Sequence, residues 1–138
     1  MTGAGRGLGF EIARALAGAG ARVLLNGRDA DRLGQAAVRI GAGAEPLAFD
    51  VADTDAAAAA VRGLGRIDIL VNNVGRRDRR PLDAFSLDEV RALLDTNLVA
   101  AFALARVWFK SAICAATRFN SPTLALICAS VVRRISPS

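Results

Sequence analysis

Up to Arg106 the chain alternates short apolar runs with stretches whose apolar positions recur at helical spacing. That is the pattern of β-α units laid over a parallel sheet. Gly3 to Gly9 reads as a glycine-rich turn. From Leu8 to Ala17 the apolar residues Leu8, Ile12, Ala15 and Leu16 fall on one helical face, and Gly18 and Gly20 punctuate its end. Arg22-Val23-Leu24-Leu25-Asn26 predicts a buried strand. Ala30 to Ile40 predicts a helix with Asp29 as its cap. Leu47-Ala48-Phe49 predicts a short strand ending at Asp50. Asp53 or Thr54 is placed to cap an Ala-rich helix through Val61, whose run Ala56 to Ala60 is helix propensity rather than disorder. Ile67 to Val71 predicts the next strand. Ser86-Leu87-Asp88-Glu89 is a capping box opening a helix to about Arg106. No internal repeat or interdomain linker interrupts this order, so one domain of βαβαβ character is expected.

Composition narrows the class. With 138 residues, 53% of them hydrophobic, the chain has material for one core, which excludes a disordered tail, a collagen-like repeat and a disulfide scaffold. No charge-free apolar run approaches the roughly 20 residues of a membrane helix. Arg6 and Glu11 interrupt the start, so no secretory apolar region is expected either. These features point to a soluble cytoplasmic protein. The net charge of +5 sits mainly in the tail: residues 1–106 hold 14 arginines against all 13 acidic residues, whereas Lys110, Arg118, Arg133 and Arg134 follow with no acid. A nucleic-acid partner is therefore not expected. The local cluster Arg76, Arg77, Arg79, Arg80 lacks interleaved aromatics and reads as a solvated or substrate-side loop. With no histidine and no metal spacing of Cys114 and Cys128, neither a zinc site nor a His-based triad is expected.

Candidate chemistry lies in the glycine turn. Thr2-Gly3-Ala4-Gly5-Arg6-Gly7-Leu8-Gly9 directly precedes a helix, where glycines let the backbone turn tightly and approach a pyrophosphate resting on the helix N-terminus. The spacing Gly3, Gly7, Gly9 resembles the Thr-Gly-x-x-x-Gly-x-Gly turn of short-chain dehydrogenases/reductases. Further positions agree in order. Asp50, followed by Val51, is similar to that family's adenine-contacting Asp. Asn72-Asn73-Val74-Gly75 resembles its Asn-Asn-Ala-Gly motif, and Asn97 resembles the helix Asn that holds a water in its proton relay. Taken singly, Asp50 reads equally well as a cap, and Asn72 and Asn73 as turn residues. Asn97, mid-helix, is harder to explain in that way, since Asn is a poor interior helix former.

The resemblance implies a Rossmann-type doubly wound parallel sheet and a nicotinamide cofactor. It assigns cofactor contacts to Thr2, Gly3, Arg6, Gly7, Leu8, Gly9, Arg28, Asp50, Val51, Asn72, Asn73 and Gly75. An NAD site wants an acid at the end of the second family strand, and an NADP site wants a cation. Here Leu25-Asn26-Gly27-Arg28 has no carboxylate before the arginine, and Arg6 can approach the same phosphate. NADP is favoured over NAD; Asp29 is the residue that would serve NAD if the strand ended later.

Two departures accompany the resemblance. The family opens with a strand leading into the glycine turn, whereas this chain opens Met1-Thr2-Gly3. The sheet is therefore expected to lack its central strand and to be incomplete, with unpaired edges; a valine codon read as an initiator would produce this start. The chain also has no tyrosine, so the family's Tyr-x-x-x-Lys is absent. Ser130, within Ile127 to Val132, resembles the strand-end catalytic Ser, which would put the missing Tyr beyond Ser138 and leave the C-terminal strands out. The only Lys, the only Trp and both Cys follow Arg106. This suggests a partial cofactor-binding domain over 1–106 and a divergent tail over 107–138, by a reading-frame change or by genuine divergence.

The resemblance implies an NAD(P)(H)-dependent oxidoreductase interconverting an alcohol and a carbonyl. Asn97 and Ser130 would be its catalytic residues, in a chain expected to be inactive as it stands. The overall look is nearest to gluconate 5-dehydrogenase-like and 3-oxoacyl-carrier-protein-reductase-like members. The arginines after Gly75 would suit an anionic small-molecule substrate, and the helix from Ser86 to Arg106 would suit a homo-oligomer. The competing reading is a non-catalytic NADP-binding or interaction protein.

Overall fold

The computed structural model describes residues 1–118. Helix α1 spans Gly7–Gly18, strand β1 Val23–Gly27, helix α2 Ala30–Ile40, strand β2 Ala44–Ala48 and helix α3 Thr54–Gly63. After a long irregular segment and a short 3₁₀ turn at Leu82–Ala84 come α4, Leu87–Leu94, a π turn at Asp95–Val99, and α5, Ala100–Arg118. The fold is Rossmann-type α/β, in which β1 and β2 pair in parallel from Val23 opposite Ala44 to Gly27 opposite Ala48.

Local chemistry sets most helix starts. Asp29 accepts from Arg32 N at 3.0 Å, which satisfies one of the free N–H groups at the start of α2. Asp53, not Thr54, caps α3 by accepting from Asp55 N and Ala56 N. Both halves of the capping box at α4 form: Ser86 Oγ accepts from Glu89 N, and Glu89 accepts from Ser86 N.

Two apolar clusters hold the elements. Phe10 and Ala13 of α1 pack with Val23 and Leu25 of β1 and Leu33 and Ala36 of α2. Arg39 lies 4.4 Å from the Phe10 ring centre and covers that cluster. Val51, with Ala57 and Val61 of α3, packs with Ala100 and Leu104 of α5. The buried face of α1 is thus Gly9, Phe10 and Ala13; of the expected face Leu8, Ile12, Ala15 and Leu16, Leu16 packs on this cluster while Leu8 and Ala15 are exposed. Leu8, in the first turn of the helix, is exposed on the side of the crevice described below.

Three further expectations are corrected. Strand β2 begins at Ala44 rather than Leu47, because the main-chain ladder tolerates Pro46. Phe49 N donates to Gly27 O, so by the period-two alternation Pro46 turns its ring nitrogen away from β1 and loses no ladder bond. Residues 67–71 do not form a regular strand. Among the described residues their one main-chain hydrogen-bond partner is Thr2, whose N donates to Val71 O at 2.9 Å. Only Met1 to Ala4 run between this segment and β1: Met1 O accepts from Asn26 N, and Ala4 N donates to Asn26 O. A strand needs a neighbour along its length to pair its backbone, and four residues do not supply one. Among the described residues the regular sheet is the parallel pair β1 and β2. Lastly, the helix predicted to end near Arg106 continues to Arg118, after its hydrogen-bond ladder loosens into the π turn.

The stretch Leu87–Phe109 is long and apolar enough to cross a membrane by length and composition. In this fold its Ala100 and Leu104 pack instead on α3, and Trp108 donates its indole N–H to Ile67 O at 2.8 Å.

Candidate nucleotide site

The glycine turn, the end of β1 and the loops after β2 and Val71 converge on one crevice of about 1060 Å³. That is at the upper end of the range of small-molecule and cofactor sites.

The turn is built by contacts that only small residues permit. Gly3 has φ of +64°, a conformation that costs other residues steric strain. A Cβ on Gly9 would collide with Gly3 O and come within 2.6 Å of Asn73 Nδ2, so α1 enters the turn closer than any side chain allows. Thr2 sits beneath, 3% exposed, and its hydroxyl accepts from Asn73 N at 2.9 Å and Val74 N at 3.2 Å. Asn73 in turn donates through Nδ2 to Thr2 O and Gly3 O, at 3.1 and 3.3 Å. The glycine turn and the Asn-Asn-Val-Gly segment, some 70 residues apart in sequence, are therefore one hydrogen-bonded unit.

Helix α1 ends against the crevice without a side-chain cap, whereas α2, α3 and α4 are capped by Asp29, Asp53 and Ser86. Its first N–H groups are thereby left for an external acceptor, at the positive end of the helix dipole. Gly3, Arg6, Gly7, Leu8, Gly9, Arg28, Asp50, Val51, Asn73 and Gly75 line the crevice. Thr2 and Asn72 do not; Thr2 braces the turn from below, and Asn72 donates to Ala101 O at 3.3 Å, tying its loop to α5. Asp50 accepts from Ala52 N at 3.0 Å and lies 3.8 Å from Arg28 Nη1.

Sequence reasoning missed three residues here. Arg32 lies against the glycine turn, since a Cβ on Gly5 would meet its stem at 3.5 Å, and its Nη2 pairs with Asp29 at 3.4 Å. Asn26 is 3% exposed and donates through Nδ2 to Leu47 O and Phe49 O, pinning the end of β2 to β1, while its buried Oδ1 has no partner among the described residues. Thr96, in the π turn, lines the far wall. Nothing local in the sequence marked any of the three, since each owes its place to a partner distant along the chain. Asp29 is engaged twice, by Arg32 N and by Arg32 Nη2.

Asn97 does not stand open in the helix. Its Oδ1 accepts from Arg76 N at 2.6 Å and its Nδ2 donates to Arg76 O at 2.8 Å, so it clamps the loop after Gly75. One lone pair and one N–H remain for other partners. Ser130 lies outside the described residues. Among the described residues no group of three or more acidic, Cys or His side chains is arranged to hold a metal.

This glycine turn, braced by Thr2 and Asn73 under an uncapped helix, belongs to a dinucleotide-binding α/β protein. The sequence model of the short chain dehydrogenases matches residues 1–117, and the chain belongs to the short-chain dehydrogenase/reductase family. It is 44% identical over 109 residues to gluconate 5-dehydrogenase of Gluconobacter oxydans, covering 74% of this chain and 43% of that protein. Among solved structures, a gluconate 5-dehydrogenase from Burkholderia cenocepacia, in complex with NADP and tartrate, aligns with a TM-score of 0.72 at 40% identity. That alignment covers 79% of this chain and 46% of the other. A metagenomic short-chain oxidoreductase in complex with NADP aligns with a TM-score of 0.76, also at 40% identity, over 83% of this chain and 55% of that one. The chain thus spans less than half the length of the gluconate 5-dehydrogenases it matches.

Proposed function

We propose that this chain is the cofactor-binding part of an NADP(H)-dependent short-chain oxidoreductase that interconverts an alcohol and a carbonyl. The observation that carries the reading is the uncapped start of α1 facing the crevice beneath a glycine turn. Its free N–H groups suit the pyrophosphate, and the close approach at Gly9 suits a dinucleotide backbone. Asp50 and Val51 would face the adenine, and Gly75 and Asn73 the nicotinamide side. Arg6, Arg28 and Arg32 gather where a 2′-phosphate would sit. Asp29, the one residue that would have served NAD, is engaged as the cap of α2 and by Arg32. That favours NADP over NAD.

When bound, NADP(H) supplies the hydride. The proton transfer that accompanies it needs a phenol in the family, and this sequence has no tyrosine. The chain therefore binds nucleotide without turning over substrate, which is also what a non-catalytic NADP-binding protein would do. Asn97 holds the Arg76 backbone beside the site, with one donor and one acceptor left for a relay water. Ser130 would polarise the carbonyl. A cytoplasmic location and self-association through the helix over 86–106, where Leu94, Leu98 and Phe102 are exposed, go with the enzyme reading.

The test is a fluorescence titration of the chain with NADPH and NADH. Saturable NADPH binding is expected, with no absorbance change on adding alcohols or carbonyls. Arg28→Ala should weaken NADPH by about tenfold, the size of one lost charge-assisted contact, and leave NADH unchanged. Absence of NADPH binding by the wild-type chain overturns the reading.

For the substrate, Arg76 and Arg77 support an anionic small molecule. In a full-length enzyme carrying this half, replacing both by Ala should raise KM for acidic substrates by about tenfold and leave neutral ones unchanged. An equal effect on both classes rejects the anion preference.

A further inference from the structure

The loop that leads from the crevice to α4 is anchored by a charge network that the function above does not use. Arg80 donates through Nε to both oxygens of Asp78, at 3.2 and 3.1 Å, and through Nη2 to Asp78 Oδ2 at 3.0 Å. The same Nη2 donates to Glu89 Oε1 at 2.8 Å, and Nη1 donates to Ala84 O at 3.3 Å. The guanidinium also lies 4.6 Å from the centre of the Phe85 ring. Arg80 hydrogen bonds hold the Asp78 carboxyl below its usual range. Glu89 is likewise lowered, first by the Ser86 backbone N–H and then by Arg80.

Glu89 stands in the first turn of α4, and Asn97 in the π turn that continues it. Eight residues of helix separate them, about 12 Å at 1.5 Å per residue. Asn97 grips the backbone of Arg76, and Glu89 grips the side chain of Arg80. The segment 76–80 is therefore attached at both ends to one rigid helix. Held by Asn97 alone, it would be free to pivot about that single point. An isolated exposed ion pair contributes little, because ordering two long side chains cancels most of the attraction. Here the ordering of one arginine is shared by two carboxylates, a carbonyl and a ring, and the planar fork suits all of them at once.

We propose that Arg80 is a positioning residue: it holds the Arg76 segment in one orientation against the nucleotide crevice, and it does not itself offer a charge to ligand. In its effect on nucleotide affinity this rests on the function proposed above. It also removes Arg80 from the set of cations available to an anionic substrate, leaving Arg76, Arg77 and Arg79 on this loop.

The experiment measures backbone hydrogen exchange and NADPH affinity on the full chain carrying Arg80→Met, Arg80→Lys or Asn97→Ala. Arg80→Met should accelerate exchange at the Arg76 and Arg80 amides by about tenfold, with the β1 amides unchanged. It should also weaken NADPH by about threefold at an unchanged Tm. Arg80→Lys keeps the charge but loses the fork, and should recover part of both effects. Asn97→Ala should release the Arg76 amide as well, which establishes that the amide reports on the clamp. The proposal is overturned if Arg80→Met leaves the Arg76 amide protected. It is equally overturned if exchange rises uniformly through β1, since Arg80 would then be holding the whole fold. If the wild-type chain binds no NADPH, the functional reading fails, while the exchange arm still decides the role of Arg80.

Discussion

Gly9→Ala is expected to abolish NADPH binding and to destabilise the fold by about 3 kcal/mol, the upper range for overpacking. The added methyl would collide with Gly3 O and crowd Asn73 Nδ2, and neither can retreat freely. Gly3 O is backbone in a tight turn, and Asn73 Nδ2 is already donating to Thr2 O and Gly3 O. Relief requires α1 to back away from the turn, which widens the surface that would meet the pyrophosphate. A thermal melt together with an NADPH titration checks both halves of the expectation. A variant with wild-type Tm and affinity would mean that the approach of helix to turn is looser than described.

Thr2→Val is expected to cost about 2–4 kcal/mol while preserving shape. The hydroxyl of Thr2 accepts from two N–H groups, those of Asn73 and Val74, and the residue is almost fully buried. Valine fills the same volume but leaves both part-buried donors without their acceptor, at about 1–2 kcal/mol for each, the lower part of the range for a buried group. Chemical denaturation should show a lower midpoint at an unchanged slope. Because Thr2 does not line the crevice, nucleotide affinity in the remaining folded fraction should fall less than in Gly9→Ala. A larger loss of affinity than of stability would assign Thr2 a direct contact instead.

Local chemistry made much of this molecule legible in advance. Asp29 and the Ser86–Glu89 box act within three residues of themselves, so their sequence spacing contains the whole interaction. The apolar run Val23-Leu24-Leu25 reads as a strand because parallel strands are buried on both faces. What escaped was whatever depends on a distant partner. Residues 67–71 have strand composition, yet a strand exists only beside another, and among the described residues Thr2 gives them their one main-chain hydrogen bond. Strand β2 starts three residues before the predicted Leu47, because Pro46 turns away from β1. Arg32 gained its place only when α2 brought it under Gly5. The site followed the same division. The glycine turn, Asp50 and the Asn72–Gly75 segment were readable as motifs, whereas the clamp of Asn97 on Arg76 and the engagement of Arg80 were not. Arg80 looks identical to its three neighbours in sequence, and only packing separates it, tied to Asp78 and Glu89, from the three whose side chains make no ion pair among the described residues.

The π turn at Asp95–Val99 acts as a phase step in an otherwise continuous helix. One extra residue in a turn rotates everything downstream by about 100° relative to an unbroken α-helix. Upstream, α4 presents Glu89 to the loop; in the step, Asn97 grips Arg76; downstream, Ala100 and Leu104 face the core. In an unbroken helix those directions would be locked together by the 3.6-residue period, and any change in loop geometry would have to be matched by a change in the core. The step fixes a second phase, so that one continuous helix aims Glu89 and Asn97 at the loop and Ala100 and Leu104 at the core.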